Sequence, residues 1–421
     1  PVGPGVFATG GVAAAAALRV AADESRVISL VADGVESGGE GEQLYLLLFG
    51  TGIRNARSVT VAVAGTATAV LGVAPQPETP GLDQVNIGPL PQSLAGRGSV
   101  EILLTADGLR ANPATANFRG PAPAQWGTRA QLPEANSEMA VADLDGKIYV
   151  LGGYPANRIS VATVQVYDPS ADRWSLTTPL PVAINHPMSV SVNGKLYFIG
   201  GQLTANGGFV DTVYEYDPAT AVWTTRARMP TERSAGAAAV IDGKIYVAGG
   251  RPPRGADFAV YDPAADRWQA LPNLPTQRNH LIAGAIGGKF YVLGGRFEGG
   301  FTSPQSDAVE IYDPVSGVWS RGAAMPKPRG GINGVVALGC LHVLGGEGSS
   351  ADPNGVYPDH DVYNPVSNTW SSLGRMPIPV HGVTGASYLN GLIYLPGGGT
   401  QEGGSSGGRQ HQVYRPAVSC R

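Results

Sequence analysis

Charge and sulfur are what this sequence has least of. Its 421 residues include two Cys and five Met, and only 15% are Asp, Glu, Lys or Arg. Two Cys cannot staple a disulfide-rich miniprotein. Lys occurs only five times, which leaves 24 Arg, an imbalance that carries no chemistry by itself. The formal net charge is −4 and no Lys/Arg run exists, so nucleic acid and anionic membrane surfaces are poor partners. Long hydrophobic runs are missing too. The longest, Gly11–Leu18, is Ala-rich and stops before Arg19. It is too short to span a bilayer and lacks the basic start and cleavage pattern of a signal peptide. The chain opens at Pro1 rather than Met, so the removal of upstream residues is expected.

Turn residues are what the chain has in excess. It holds 60 Gly and 34 Pro, about 22% of the residues, against roughly 12% in an average protein. Both residues weaken helix interiors, which argues against a helical bundle. The hydrophobic content is an ordinary 43%, spread over short runs, so the chain is not low-complexity disorder. The composition predicts a turn-rich, all-β protein, and the length predicts two or three domains.

The last 300 residues repeat. Gly-Gly doublets begin at Gly152, Gly200, Gly249, Gly294, Gly345 and Gly397. Each ends a short apolar run: KIYVL, KLYFI, KIYVA, KFYVL, CLHVL and LIYLP. Each run follows a tight turn of the hairpin-closing kind. A Tyr comes 12 to 18 residues after each doublet begins, at Tyr167, Tyr216, Tyr261, Tyr312, Tyr363 and Tyr414. The first five lead into Asp-Pro or Asn-Pro and then, seven residues after the Tyr, into Trp174, Trp223, Trp268, Trp319 and Trp370. This pattern resembles the kelch repeat in six copies from Gln125 to Tyr414. The resemblance implies a six-bladed β-propeller with one four-stranded blade per repeat. The sixth copy lacks its Trp, and a spare Trp126 precedes the first. The strand around Trp126 is therefore expected to complete the last blade and close the ring.

Residues 1–118 contain no such unit and no Lys, and hold six Arg against ten Asp and Glu. Short strands are predicted at Val27–Val31, Gln43–Phe49, Val59–Val63, Thr68–Val73, Gln84–Ile87, Val100–Thr105 and Thr115–Phe118. Seven short strands separated by turn residues read as a β-sandwich. The segments LYLLLFGTGIRN, PGLDQVNIGPLPQSLAGRG and VEILLTADGLRAN resemble an immunoglobulin-like domain of large secreted bacterial proteins. The expected organisation is a sandwich over residues 1–119, a Pro-stiffened linker over 120–124 and a propeller over 125–421. That resemblance implies export, to the cell surface or beyond it.

In a blade, the turns between first and second and between third and fourth strands share one face of the disc. Cys340 and Cys420 are placed there in adjacent blades, which leaves two readings: a disulfide tying the C-terminal tail near the seam, or two free thiols. The opposite face is where propellers bind ligands. Three residues after the recurring Leu-Pro or Met-Pro stand Asn136, Ile184, Arg233, Arg278, Arg329 and Val380. Next to them come Glu138, Asn185, His186, Asn279, His280 and His381. Directly after the doublets come Tyr154, Gln202, Arg251, Arg296, Glu347 and Gly399. Arg233, Arg278 and Arg329 fall in consecutive blades and are read either as a cationic arc for a carboxylate or sulfate, or as bonded to neighbouring backbone. His186, His280 and His381 are a conceivable metal set. They lack a matching carboxylate set, so neither metal nor cofactor is assigned.

No motif joins these residues into a catalytic constellation. The leading expectation is a non-enzymatic secreted or cell-surface binding and scaffold protein. Its propeller face would take protein or glycan, and the exposed edges of the sandwich would allow self-association. The alternative is a carbohydrate-active kelch enzyme, closer to the sialic-acid mutarotase type than to the copper-oxidase type.

Overall fold

The structure is a computed structural model of the chain. It describes all residues except 1–4, 7, 10–11, 21–25, 32–33, 37–42, 77–78, 92–93, 95–96, 120–125, 301, 417–419 and 421. It divides into two compact units, Pro1–Ala124 and Gln125–Arg421. The linker expected over 120–124 lies outside the described residues.

The first unit is a pair of β-sheets around one core. One sheet runs in the order Val70–Pro75, Asp83–Leu90, Gln43–Thr51, Ala15–Val20, Arg26–Leu30. The other is built on Ala114–Arg119, Gly98–Ala106 and Val59–Val63. Alternation positions the core. Along Gln43–Thr51 every second residue is buried, so Leu44, Leu46 and Leu48 point inward. They pack in one cluster with Val61, Val63, Ile102, Leu104 and Phe118 of the facing sheet.

The second unit is an all-β propeller of six blades, five of them four-stranded sheets and the first a sheet of five, with a further two-stranded ribbon of Gln202–Thr204 and Gly207–Phe209. Blades 1 to 5 begin with the inner strands Met139–Leu144, Met188–Val192, Ala237–Ile241, Ile282–Ile286 and Asn333–Ala337. Blade 6 holds Ser387–Leu389, Leu392–Pro396 and His411–Tyr414, and its outer strand is Trp126–Thr128, paired antiparallel with His411–Tyr414. Burial falls from second strand to fourth. In blade 1, Lys147–Leu151 is buried at four of five positions, whereas Arg173–Leu176 is mostly exposed.

The repeated residues do three separate jobs. Tyr and Trp are direct cross-strand partners, as Tyr167 and Trp174 show. In all six blades their ring centroids lie 4.8–5.2 Å apart. Each Trp Nε1 also donates 2.7–3.3 Å across to a backbone carbonyl of the segment preceding its blade, Trp126 to Gly374 O among them. The doublets join each blade to the next. The second Gly amide donates to a carbonyl of the following blade, from Gly153 N to Ile184 O round to Gly398 N and Asn136 O, at 2.7–3.1 Å. A Cβ on the first Gly would clash with that carbonyl, at 2.6 Å from Ile184 O in the case of Gly152. Finally, Cys340 and Cys420 form a disulfide.

Candidate functional site

A ring around the propeller axis places the site. One residue per blade, just before the inner strand, adopts a left-handed conformation: Glu138, His186, Ala235, His280, Gly331 and Gly382, with φ between 51° and 68°. Each of these amides donates to the carbonyl of its predecessor in the ring. The bonds run from Glu138 N to Gly382 O, His186 N to Glu138 O and onward to Gly382 N and Gly331 O, at 2.5–3.1 Å. The chain must turn sharply here so that each blade can reach its neighbour. Gly meets that demand cheaply at two positions, Gly331 and Gly382. A Cβ in this region costs of order 1 kcal/mol or more, so Glu138, His186, Ala235 and His280 all carry that strain. His is tolerated in this region more often than most residues, so it is Glu138 whose presence points to a use for the side chain.

The second tier lies above this ring. It is built from residues directly after the doublets: Tyr154, Arg251, Arg296 and Glu347. With Glu138 and His186 from the ring they line a cavity of 590 Å3, to which the loops add Arg158, Asn206, Phe209, Gly299, Gly300, Gly403 and Gly404.

Hydrogen bonds fix the protonation states. Asn185 Nδ2 donates to Gln202 O (3.1 Å) and Ser160 Oγ (2.7 Å), so its Oδ1 is the atom turned to His186 Nδ1. Asn279 does the same for His280, its Nδ2 held by Arg296 O and Glu298 O. Each ring thus carries its proton on Nδ1 and offers an Nε2 lone pair. Arg251 Nη2 donates to His186 Nε2 (3.2 Å), and Arg296 Nη2 to His280 Nε2 (2.7 Å). Burial, followed by these two guanidiniums, pushes both imidazoles well below their ordinary value. Both are neutral.

Glu138 Oε2 lies 3.1 Å from His186 Nε2. The same Nε2 lone pair therefore faces both the Arg251 guanidinium and the Glu138 carboxyl. Burial raises the Glu138 carboxyl above its ordinary 4.5, with Glu347 adding to the rise against the pull of His381 and the arginines. Glu347 is the opposite case. Burial pushes it up, but His381, Arg296 and the Gly403 amide (2.9 Å) outweigh burial and hold it below its usual value. Two carboxyls in one site are thus driven apart.

The ring carries one group of potential metal ligands, Glu138, His186 and His280, whose ligand atoms lie within 4.8 Å of one another. The donor set does not suit a cation. Both imidazole lone pairs accept from guanidiniums, and two positive charges already stand beside them. The three-histidine set is not assembled. His381 occupies the position of Asn185 and Asn279, not that of His186. Its Nε2 donates to Gln401 O (2.7 Å), and its Nδ1 faces Glu347 Oε2 at 3.5 Å and Glu138 Oε1 at 3.8 Å.

The cationic arc of Arg233, Arg278 and Arg329 is corrected by the structure. All three are buried inside the blades and bonded there. Arg233 donates to Val247 O (2.9 Å) and Asp257 O (3.1 Å). Arg278 donates to Gly294 O (2.7 Å) and pairs with Glu310, and Arg329 pairs with Asp361. Asn185 and Asn279 are likewise buried beneath the mouth, as supports. The cations at the cavity are Arg158, Arg251 and Arg296. Arg158, Asn206 and Phe209 escape a reading of the repeats because they sit in loops that differ from blade to blade.

Fold and site together define a kelch-type propeller with a charged mouth, and the comparisons agree. The KLHDC2/KLHL20/DRC7 Kelch-repeats domain family matches residues 185–398, and the Kelch motif matches residues 136–181. The chain belongs to the kelch-repeat family. Kelch-like ECH-associated protein 1B of Danio rerio is 33% identical over 100 residues, 24% of this chain and 17% of that protein. Kelch-like protein terF of Aspergillus terreus is 38% identical over 79 residues, 19% of this chain. The chain thus spans 17% of the length of each of these two relatives. The solved structure of YjhT superposes with a TM-score of 0.58 at 17% identity, covering 70% of this chain and 99% of that one, a likeness of fold.

Proposed function

We propose that the propeller mouth binds an acidic ligand, and that the protein is a secreted or cell-surface binding module. Its N-terminal sandwich is, in this reading, an immunoglobulin-like spacer that also offers edges for self-association. One observation carries the reading. Three guanidiniums, of Arg158, Arg251 and Arg296, line the cavity with two carboxyls: Glu138, which burial pushes above its ordinary value, and Glu347, which Arg296 already engages. The buried Nε atoms of Arg251 and Arg296 have no hydrogen-bond partner among the described residues. Such donors are costly to leave unmet, and a ligand carboxylate supplies what they lack. The name of the Danio rerio relative records association with another protein, which supports binding as the general role.

The test is calorimetric titration with acidic and neutral saccharides and with Glu-rich and neutral peptides. Acidic probes are expected to bind and neutral ones not. Arg251→Ala is expected to weaken binding at least about tenfold, the worth of one charge-assisted hydrogen bond. Binding that ignores both the ligand's charge and Arg251→Ala would sink the proposal.

A second reading is an enzyme of the sialic-acid mutarotase type. Its support is the Glu138 carboxyl, raised above its ordinary value by burial and 3.1 Å from His186 Nε2, a pair that could pass a proton to and from a bound sugar. Proton NMR of N-acetylneuraminic acid anomers would detect accelerated exchange, and Glu138→Gln would abolish it. The copper-oxidase type has no support, because the two cysteines bond to each other.

A further inference from the structure

A second cavity, of 520 Å3, adjoins the mouth. The same three loops wall both. In the blade 4 loop, Gly299 and Gly300 face the mouth, and Thr302 and Ser303 the second cavity. In blade 5 the boundary falls between Glu347 and Gly348, and in blade 6 between Gly403 and Glu402. A single peptide unit therefore separates the two cavities at two of the three loops.

Their chemistry differs sharply. Three arginines line the mouth, whereas among the described residues no Lys or Arg lines the second cavity. Its polar groups include Glu402, Asp352, Ser349 and Ser350, and Tyr357 provides an aromatic wall, with the Arg329 guanidinium 5.6 Å from its ring centroid. Glu402 lies over Gly355 and its carboxylate has no hydrogen bond among the described residues. Asp352 uses Oδ1 for the Asn354 amide (2.9 Å), which leaves Oδ2 open. Free carboxylates and hydroxyls beside a tyrosine face suit a neutral, hydroxyl-rich unit, since a carboxylate accepts two hydroxyl protons well. They repel a second acid.

From this asymmetry we infer that the ligand is an oligosaccharide with an acidic terminal sugar in the mouth and a neutral sugar in the second cavity. The inference rests on the acidic-ligand reading of the mouth and selects glycan over acidic peptide. Runs of acidic residues and polyuronates are disfavoured, because their second carboxylate would meet Glu402 and Asp352.

The experiment compares monomers with oligomers on the full chain. N-acetylneuraminic acid is titrated against sialyllactose, and glucuronic acid against a glucuronosyl-glucose disaccharide. At least one oligomer is expected to bind about tenfold tighter than its own acidic monomer. The double variant Glu402→Ala/Asp352→Ala, on exposed loops, is expected to erase that advantage and leave the monomer's affinity unchanged. Equal affinity of monomer and oligomer, or an advantage that survives the double variant, overturns the second cavity's role and spares the mouth. Binding of a Glu-rich peptide with no saccharide bound overturns the glycan and also spares the mouth. Failure of every acidic probe overturns both.

Discussion

Asn185 has one orientation that satisfies its amide, and that choice propagates: His186 must carry its proton on Nδ1 and turns its Nε2 lone pair toward Arg251 and Glu138. The charge of the mouth then depends on pH through Glu138. As pH rises through its elevated pKa the carboxyl ionises and adds a negative charge beside the ligand. Affinity for an acidic sugar should therefore fall as pH rises above the ordinary carboxylate range. Calorimetry at pH 5 to 8 should show that fall in the wild type and a flatter profile in Glu138→Gln. Equal slopes would exclude Glu138 as the source. His411 makes a prediction about stability. Burial lowers its pKa from 6.5 to about 4. The folded value lies below the unfolded one, so the stabilisation is complete above pH 6.5 and is lost as pH falls below it. Between pH 7 and 5 the loss at this residue is about 2 kcal/mol. In His411→Asn the amide can replace Nδ1–H as donor to Ala130 O. Urea unfolding should show this variant losing about 2 kcal/mol less than the wild type over that interval.

Each blade carries the same two devices, and they differ in how far the sequence reveals them. The doublet, the Tyr and the Trp are legible because each job admits one residue type: no Cβ at a carbonyl contact, and paired aromatics across a hairpin. The left-handed ring is not legible, because what its six positions share is a φ value. They carry Glu, His, Ala, His, Gly and Gly. For the same reason blade 6 reads one residue out of step, with His381 standing for what is structurally the Asn185 position. The buried arginines mislead differently, since whether an Arg reaches a ligand or a carbonyl depends on strands far away in sequence. The ring also makes a test of strained function. Glu138→Gly removes both the left-handed strain and a buried carboxyl, and should leave the fold as stable or about 1 kcal/mol more stable. The pH dependence of acidic-ligand affinity should vanish with it. Gly382→Ala should do the reverse. Its Cβ would meet Glu138 Oε1 at 2.7 Å in a conformation that disfavours it, so stability should drop by about 1 kcal/mol or more and the Glu138 carboxyl be displaced. Thermal unfolding of both variants would decide, and a destabilised Glu138→Gly would remove the argument from strain.

The propeller is closed across the two ends of its own sequence, which makes it a single cooperative object. Trp126–Thr128 completes blade 6 against His411–Tyr414, and Trp126 Nε1 reaches Gly374 O as the other five tryptophans reach their neighbours. The two backbone rings run through the same seam, at Gly398 N to Asn136 O and at Glu138 N to Gly382 O. If the sixth interface opens, the two blades flanking it each lose a neighbour and expose the face that neighbour covered. The disulfide reinforces this region. It joins Cys340 of blade 5 to Cys420 beyond blade 6, 80 residues apart in sequence, and the Cys420 amide donates to Leu338 O (3.0 Å). Fixing a loop of that length lowers the entropy of the unfolded chain by about 4 kcal/mol of free energy. Cys420→Ser should therefore unfold at markedly lower urea than the wild type, with the propeller's strand content unchanged in native buffer, because the seam's hydrogen bonds and the Trp126 strand remain. Reducing the wild type should lower its midpoint to that of Cys420→Ser and have no effect on the variant. If the reduced wild type kept its full midpoint, closure would rest on the paired strands and the two rings alone, and the bond would serve only to hold the tail.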